Sequence, residues 1–499
     1  MRAIEILLSL VNLLLAFALV ARLPRSELCL RILAPVALLV AFAQVLVEGS
    51  RWQMIPAYVL SGVLCLVWLR RITTKSPLAS HQMSNRITVG VGRGLTVVTL
   101  AVSIALPLIL PVFHFPQPSG PYKIGTLTYH WTDASRPEIF LADPKVRREL
   151  MVQIWYPAKT KADSQGSPYM QEAAPLTAAL ARLKSVPELA FEQLKYVTTN
   201  AIPSAPVADD KPNFPVLIFL EGAKGFRQMN TFQVEELVSQ GYIVVALDQP
   251  YTAASVVFPD GHQASGLSLN QMRTLIHQSY APAEQAPVLN GQTLEKGIIP
   301  YLAQDVVFTL NQLMGLNRAD SKGILAGRLD LNRAGTFGVS LGGIVVGEAC
   351  RIEPRLRACL VMDATMPSDV VKAGLQQPVM WITRDAETMR LERRRAGGWS
   401  EAEISQHQTT MRATFEKAHA EAYFVQVPGM FHLNLTDVPY WSPISQHLGV
   451  AGPIDQRRAY KIINGYSLAF FDRHLRYKAA VPLDGLSKEY PEVIFQRAS

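Results

Sequence analysis

Long, nearly uninterrupted hydrophobic runs dominate the first 115 residues of the chain, and shorter runs separated by polar segments follow. A helix needs about 20 apolar residues to cross a bilayer, with about 17 as the lower limit. Four early runs reach or approach that length, and they cover 4–21, 30–47, 54–69 and 95–113. The third is the shortest. No small-x-small cleavage site follows the first run, so the pattern predicts an uncleaved helix rather than a secretory signal peptide.

Beyond residue 115 the pattern alternates between short apolar strands and helical segments. Strands are predicted at 124–129, 148–157, 214–222, 241–248, 334–340, 357–363, 378–383 and 422–429. Helices are predicted at 173–197, 231–240, 301–316, 341–351, 385–420 and 454–476. Continuous apolar strands alternating with helices indicate an α/β fold, in which a mostly parallel sheet is covered on both faces.

These patterns predict two domains. Residues 1–115 form a bundle of about four transmembrane helices, and residues 116–499 form an α/β domain. The segment 165–205 lies between the early strands and the main sheet, and its central part is amphipathic. It is a candidate lid over a pocket, with simple surface packing as the equal alternative.

The positive charge of the chain is concentrated between the hydrophobic runs. Residues 1–115 contain ten lysines and arginines against three acidic residues, whereas the remainder has 38 against 37. The net charge of +8 therefore implies no basic soluble face, and no nucleic-acid partner is expected. Basic residues cluster at 22–31 and 70–93, and cationic loops stay in the cytoplasm. Four spans then place the α/β domain on the periplasmic or outer side of a cell membrane, whereas an odd number would reverse it.

The hydrophobic runs favour an anchor over a transporter, because no charged residue lies clearly inside a predicted span. Four cysteines are too few for a disulfide framework. Cys350 and Cys359 are expected to be separate buried thiols, with a bridge as the alternative in an oxidising compartment. No His/Cys spacing indicates a metal, and no metal or cofactor is expected.

The motif Gly338-x-Ser340-x-Gly342 stands between a predicted strand and a predicted helix. Small residues on both sides of a serine allow the sharp turn that raises a nucleophilic hydroxyl above a sheet edge. A glycine-rich turn that serves only packing is the alternative. The amide of Leu341 then lies at a helix N-terminus, where it can donate to an oxyanion.

A serine becomes nucleophilic when a histidine takes its proton and a carboxylate orients that histidine. Asp363 ends the next predicted strand and His432 follows a later one, so a parallel sheet brings both to the same edge. The alternatives are a capping role for Asp363 and a surface-loop role for His432. The other candidates, which fit less well, are Asp369, Asp437, His407, His419, His447 and His474.

The second oxyanion donor is expected from the loop LEGAKGF at 220–226, where Ala223 is the best candidate. Gly222 would permit close approach of the backbone to a substrate. An ordinary strand-to-helix turn is the alternative.

Around these residues the chain resembles the platelet-activating-factor acetylhydrolase family, specifically its bacterial α/β-hydrolase relatives. The resemblance covers about 119–495 and runs through PSGPY, ELMVQIWYPA, FPVLIFLEGAKGFR, GYIVVALDQPY, VVFPDG, LAGRLDLNRAGTFGVSLGG, CLVMDA and PGMFHLNLTD. It implies an α/β-hydrolase fold, with Ser340, Asp363 and His432 as the triad. It also implies oxyanion amides at Ala223 and Leu341, and hydrolysis of modest-length acyl esters without a cofactor.

Two positions depart from the family pattern. Glu221 stands where the family usually has histidine before glycine, and Val339 stands where a histidine often precedes the nucleophile. A carboxylate facing the oxyanion would oppose its charge. Glu221 is therefore expected to point away or to pair with Lys224 or Arg227.

The sequence thus predicts a membrane-anchored serine ester hydrolase that acts through an acyl-serine on lipid-like or amphiphilic esters. Two alternatives remain at this point. One is an acyltransferase with the same triad, and the other is a non-catalytic membrane sensor or scaffold, which Glu221 favours. The sequence does not indicate the oligomeric state.

Overall fold

A ten-stranded mixed sheet forms the centre of the α/β region. The computed structural model describes residues 1–21, 26–73, 82–159, 166–477 and 483–498. The strands are β1 (Lys123–Pro137), β2 (Arg147–Ala158), β3 (Ala201–Pro203), β4 (Phe214–Leu220), β5 (Ile243–Asp248), β6 (Ser255–Val257), β7 (Gln263–Ser265), β8 (Val288–Leu289), β9 (Gln292–Thr293), β10 (Leu329–Val339), β11 (Leu356–Met362), β12 (Val379–Thr383), β13 (Ala422–Gln426) and β14 (Ile494–Ala498). The main sheet has the order β14-β13-β12-β11-β10-β4-β5-β2-β1-β3, while β6-β7 and β8-β9 form two small separate sheets.

The central strands β5, β4, β10, β11, β12 and β13 are parallel, as the continuous apolar runs predict. Antiparallel strands flank them: β2 pairs with β5, β1 pairs with β2, and β14 pairs with β13. The sequence pattern did not predict β3 or β14. The carboxyl ends of the parallel strands meet at one edge of the sheet, and this is where ligands bind in open α/β sheets.

Fourteen α-helices lie in the described part of the chain. They are α1 (Ala3–Val20), α2 (Ser26–Glu48), α3 (Ile55–Thr73), α4 (Gln82–Ile109), α5 (Ala173–Lys184), α6 (Thr231–Ser239), α7 (Leu269–His277), α8 (Ile299–Arg318), α9 (Leu341–Ile352), α10 (Ser368–Ala373), α11 (Ala386–Ala396), α12 (Glu401–Glu416), α13 (Gln456–Leu475) and α14 (Leu483–Glu489). Short 3₁₀ helices occur at Trp52–Met54, Glu188–Tyr196, His432–Leu435 and Val438–Trp441.

Both faces of the sheet are packed, because side chains alternate along each strand. On one face, Val216 and Ile218 belong to a buried cluster that includes residues of α8 and α9. On the other face, the ring of Phe337 lies 4.9 Å from that of Phe219 and 6.1 Å from that of Phe471 in α13. Burial on both sides explains why these strands are uniformly apolar.

Two predicted helices are interrupted in the structure. The helix predicted over 173–197 ends at Lys184, where Ser185 adopts a left-handed conformation with φ of 52°. A 3₁₀ helix then covers Glu188–Tyr196. The helix predicted over 385–420 is two helices, since Gly397 and Gly398 have φ values of 78° and 108° between them.

The chain folds as two compact units. The first contains Met1–Phe113 together with Leu189–Val197 and Tyr440–Ile444, and the second contains the rest. This grouping differs from a simple division at residue 115, because two short stretches of the later chain join the helical unit. The candidate lid 165–205 is likewise shared between the two units, and its first residue, 165, lies outside the described part.

The helical unit contains four helices long and apolar enough to cross a membrane: Ala3–Val20, Leu28–Glu48, Trp52–Arg70 and Gly90–Ile109. This unit also contains a buried ion pair that the sequence pattern does not predict. Glu5, in the first turn of α1, is fully buried and lies 2.7 Å from Arg51. Arg51 also donates to the carbonyl of Leu110. The connections 22–25 and 74–81, which hold part of the predicted cytoplasmic charge, lie outside the described residues.

Candidate active site

Ser340 occupies the sharp turn between β10 and α9. Its φ of 58° and ψ of −121° are unusual for a residue with a side chain, a conformation that costs about 1–3 kcal/mol and is concentrated at functional sites. Its amide donates to the carbonyl of Met362 at 2.9 Å. A Cβ on Gly342 would lie only 2.1 Å from the carbonyl oxygen of Leu220. The glycines of the motif therefore let the turn pack directly against β4.

Asp363 and His432 come together at the same sheet edge as the serine turn. Asp363 follows β11, and His432 opens the 3₁₀ helix after β13. The Nδ1 atom of His432 lies 2.5 Å from Oδ2 of Asp363. The carboxylate is fully buried, whereas the His432 side chain is 18% exposed. A buried carboxylate on Nδ1 fixes the imidazole tautomer and leaves Nε2 free to accept a proton.

Three further groups hold the carboxylate of Asp363. Arg384 Nε lies 2.7 Å from Oδ2, while Thr383 Oγ1 at 2.8 Å and His407 Nε2 at 3.1 Å approach Oδ1. Burial alone would raise the pKa of Asp363, but the charge of Arg384 and the hydrogen bonds from His407 and His432 hold that pKa well below its usual value. The carboxyl is therefore ionised at neutral pH.

His407 is a part of the site that sequence reasoning missed. It falls in a charged helical segment, which favours a surface position, yet its side chain is buried and lies against Asp363. Burial lowers the pKa of His407, so the ring is neutral at pH 7. A neutral ring that donates from Nε2 accepts at Nδ1 from Thr365 Oγ1, 3.2 Å away. A detectable signal existed, since His407 shares its buried helix face with Ile404 and Met411.

Glu392 and Trp399 complete the surroundings of the histidine. The carboxylate of Glu392 accepts from the His432 amide at 3.1 Å and also binds Arg384. The ring of Trp399 lies 6.0 Å from that of His432 and 5.4 Å from that of His407. These contacts restrict the orientation of the imidazole from several sides.

Ser340 and His432 are not joined by a hydrogen bond among the described residues. Contacts between nucleophile and base are often long in unliganded enzymes and tighten when substrate binds. The Ser340 hydroxyl lines a cavity of about 420 Å³ together with Asp363, Leu341 and Ala223. Ser340, Asp363 and both candidate oxyanion residues thus border one space, although the Asp363 carboxylate itself is buried.

The two candidate oxyanion amides have no acceptor among the described residues, because neither the Ala223 N–H nor the Leu341 N–H donates to another residue there. Leu341 is the first residue of α9, so its amide has no partner within the helix. Gly222 precedes Ala223, and a Cβ there would lie 3.2 Å from Cβ of Ser340. The loop approaches the nucleophile closely because it carries glycine at this position.

Glu221 pairs with no cation among the residues that the structure describes, which differs from one of the two expected arrangements. Its Oε1 accepts from the amide of Gln249 at 3.1 Å, and Arg227 instead binds Asp248. Burial raises the pKa of Glu221 well above its usual value, and the charge of Asp248 adds to the rise. Burial and the neighbouring carboxylate thus favour the uncharged form of Glu221, the form that places no opposing charge near the candidate oxyanion amides.

Cys350 and Cys359 form a disulfide, so the expectation of two separate thiols was wrong. Cys350 lies near the end of α9 and Cys359 lies in β11, and the two Cα atoms are 6.6 Å apart. The chain reverses between α9 and β11, which brings these residues together. The bond ties the end of the nucleophile helix to the strand that precedes Asp363.

An aspartate–histidine pair beside a strained serine turn, at the carboxyl edge of an α/β sheet, is the arrangement typical of serine hydrolases. The family model for platelet-activating factor acetylhydrolase, isoform II, matches residues 111–488. The chain therefore belongs to this family.

Individual relatives agree with this assignment. A platelet-activating factor acetylhydrolase of Gallus gallus is 22% identical over 73% of this chain and 85% of its own. A probable 1-alkyl-2-acetylglycerophosphocholine esterase of Arthroderma benhamiae is 24% identical over 80% of this chain and 98% of its own. The solved structure of a ferulic acid esterase from Streptomyces cinnamoneus superimposes with a TM-score of 0.58 at 26% identity, covering 77% of this chain and all of that one. The fold is thus an α/β-hydrolase fold, and the chain is a carboxylic ester hydrolase of a serine-type family.

Proposed function

We propose that this protein is a membrane-anchored serine esterase that cleaves short-to-medium acyl esters of amphiphilic substrates through an acyl-serine intermediate. The observation that carries the proposal is the Asp363–His432 pair beside the strained Ser340 turn, with Ser340 and Asp363 among the residues that border one cavity.

In the proposed mechanism Ser340 Oγ attacks the ester carbonyl carbon while His432 Nε2 takes its proton. The amides of Ala223 and Leu341 donate to the oxygen that becomes negative. Collapse of the tetrahedral intermediate breaks the bond to the alcohol, which receives the proton from His432. A water molecule then repeats the sequence on the acyl-serine and releases the acid.

The cavity supports an acyl group of limited size. Its walls beyond Ser340 are mainly apolar, and they include Met272, Ile276, Ile344 and Trp399. Its volume of about 420 Å³ lies near the lower end of the range typical of ligand pockets.

Membrane anchoring is supported by the outer surface of the helical unit. Large apolar side chains there are strongly exposed, among them Phe17 at 61%, Leu39 at 68% and Phe42 at 64%. Contiguous apolar surface of this kind is rare on water-soluble proteins and is expected where a helix contacts lipid.

An extracytoplasmic position for the esterase is supported by the Cys350–Cys359 bond, because disulfides persist in oxidising compartments and are rare in the cytosol. Four spans with basic connections at 22–31 and 70–93 favour the same orientation. Labelling with a membrane-impermeant fluorophosphonate should therefore mark intact cells or spheroplasts and leave sealed inverted vesicles unmarked. The reverse pattern would contradict the orientation without affecting the proposed chemistry.

The chemistry is tested with full-length protein in detergent, using p-nitrophenyl butyrate and a fluorophosphonate probe. Ser340→Ala should lower kcat by at least about 10³-fold and abolish labelling, because the probe reacts at the serine oxygen with loss of fluoride. Ser487→Ala on α14 is the matched control and should behave like the parent. Turnover that persists in a folded Ser340→Ala protein would refute the assignment. Transfer of the butyryl group to an added alcohol at the expense of hydrolysis would instead support the acyltransferase alternative.

A further inference from the structure

A second cavity, of about 700 Å³, adjoins the one that contains Ser340. Leu269 and Asn270 line both, and Ala223 in the first cavity is followed directly by Lys224 in the second. A substrate whose ester lies at Ser340 therefore has its other end within reach of this second space, which we call the side cavity.

Two cations line the side cavity: Arg182 in the last turn of α5 and Lys224. Neither forms an ion pair with a carboxylate among the described residues. Burial lowers the pKa of Lys224, and the nearby charge of Arg182 lowers it further, so the two positive groups act on each other without a neutralising partner.

The position of Lys224 is built into the fold. Its backbone is left-handed, with φ of 59°, and its amide donates to the carbonyl of Thr252 at 2.8 Å. A Cβ atom on Gly266 would lie 2.7 Å from the Nζ atom of Lys224. The ammonium group thus lies against the backbone of Gly266 at the cavity wall, and the Lys224 side chain is half-buried.

The remaining lining residues suit an anion and do not suit a cation. Ser265, Ser268 and Asn270 add polar groups, whereas no acidic or aromatic residue lines the side cavity among the described residues. Recognition of a quaternary ammonium group depends on aromatic faces or carboxylates, and here both are missing.

We infer that the side cavity binds a negatively charged group of the substrate, so that the enzyme prefers esters carrying a phosphate or carboxylate over neutral or zwitterionic esters with the same acyl groups. This inference rests on the proposed function. Arg182 and Lys224 are assigned as specificity-determining residues that hold the anion while the ester carbonyl reaches Ser340.

The test uses full-length protein and four soluble substrates with identical butyryl esters: dibutyrylglycerol, its phosphate, its hemisuccinate and its phosphocholine diester. All are used as monomers, so that surface charge of aggregates does not contribute. The phosphate and hemisuccinate should have kcat/KM values about tenfold above the phosphocholine ester, since hydrogen bonds between a cation and an anion are stronger than those between neutral groups. The comparison of phosphate with hemisuccinate distinguishes which anion fits better.

Arg182→Gln should raise KM for the two anionic esters several-fold with little change in kcat, and Lys224→Met should do the same. Both should bring the ratio of anionic to zwitterionic kcat/KM towards one. Lys184→Gln is the matched control, because Lys184 lies on the same helix but outside the cavity lining, and it should leave the ratio unchanged. Equal kcat/KM for all four esters in the parent, or a ratio unmoved in Arg182→Gln, would overturn the inference.

Binding to Ser340→Ala separates the two proposals. Calorimetric titration with the intact phosphate and phosphocholine esters measures anion preference without turnover. Hydrolysis of dibutyrylglycerol without any anion preference would refute the side-cavity inference and leave the esterase proposal intact. Preferential binding of the phosphate ester to Ser340→Ala, with no hydrolysis of any ester by the parent, would refute the esterase proposal alone.

Discussion

The disulfide between Cys350 and Cys359 offers a quantitative test of the structure. Loss of the bond releases a loop with a sequence separation of nine residues. The chain-entropy relation gives about 2.6 kcal/mol for a loop of this size at 25 °C. The unit that contains the bond has about 370 residues. At about 2.1 cal/mol/K per residue its unfolding entropy is about 0.8 kcal/mol/K, so its melting temperature should fall by about 3 °C.

The assay first counts thiols. Under denaturing conditions without reductant, a mass-tagged maleimide should label two cysteines, Cys29 and Cys65, and after reduction it should label four. Thermal unfolding of the detergent-solubilised protein is then followed with and without reductant. The variant carrying Cys350→Ser and Cys359→Ser should melt at the reduced temperature under both conditions. The variant carrying Cys29→Ala and Cys65→Ala should keep the full response to reductant.

Four thiols labelled before reduction, in protein isolated from its native host, would show that the bond is absent and would remove the support it gives to the proposed extracytoplasmic position. A bond that is present but whose reduction leaves the melting temperature unchanged would refute the entropic estimate. In that case the junction between α9 and β11 is held as firmly by packing as by the bond.

Three further predictions concern single side chains. Gly222→Ala should lower kcat by about 10- to 100-fold with little loss of stability, because its methyl group would lie 3.2 Å from Cβ of Ser340, whereas Gly315→Ala, with open space around it, should leave activity unchanged. His407→Leu removes one donor from Asp363 and leaves the carboxylate charge less compensated beside His432, so the acid limb of the kcat/KM profile should move to higher pH. Stability should fall by about 1–3 kcal/mol, and an unchanged profile would show that His407 only fills space. Burial raises the pKa of Glu235 to about 7 from 4.5, so the unfolded state loses its proton first as pH rises, and up to about 3 kcal/mol of stability should be lost between pH 4.5 and 7. Melting temperatures from pH 5 to 7.5 should show this decline in the parent and a flatter line in Glu235→Gln.

Local pattern was sufficient to predict the central strands. The strands β4, β5, β10 and β11 are continuous apolar runs because helices cover both of their faces, and that cause acts on each strand separately. The serine turn has an equally local signature, since the glycines at 338 and 342 are required by contacts of the turn itself and of β4. Positions at strand ends then bring Asp363 and His432 to the same edge.

The remaining features depend on contacts between distant segments. Nothing near Arg384 in the sequence indicates that its guanidinium reaches Asp363, because that pairing depends on the register of β11 against β12. Likewise β14 is a short strand with an ordinary composition, and its pairing with β13 depends on where the end of the chain returns. The disulfide likewise depends on how α9 turns back onto β11, and the number and spacing of the cysteines do not indicate that contact.

The helical unit includes two short segments of the later chain, Leu189–Val197 and Tyr440–Ile444, so removing residues 1–113 would disrupt it. Within this unit the indole N–H of Trp52 donates to the carbonyl of Leu189 at 2.6 Å. The side-chain amide of Gln53 donates to the side-chain oxygen of Gln193 at 3.1 Å. Tyr196 lies against Gly49. A protein that lacks residues 1–115 would lose the partners of the 189–197 segment and would expose the buried groups of that segment to water. Because that segment follows α5, whose Arg182 lines the side cavity, a truncated protein is a poor test of substrate preference. The full-length chain is therefore required for the measurements on charged esters.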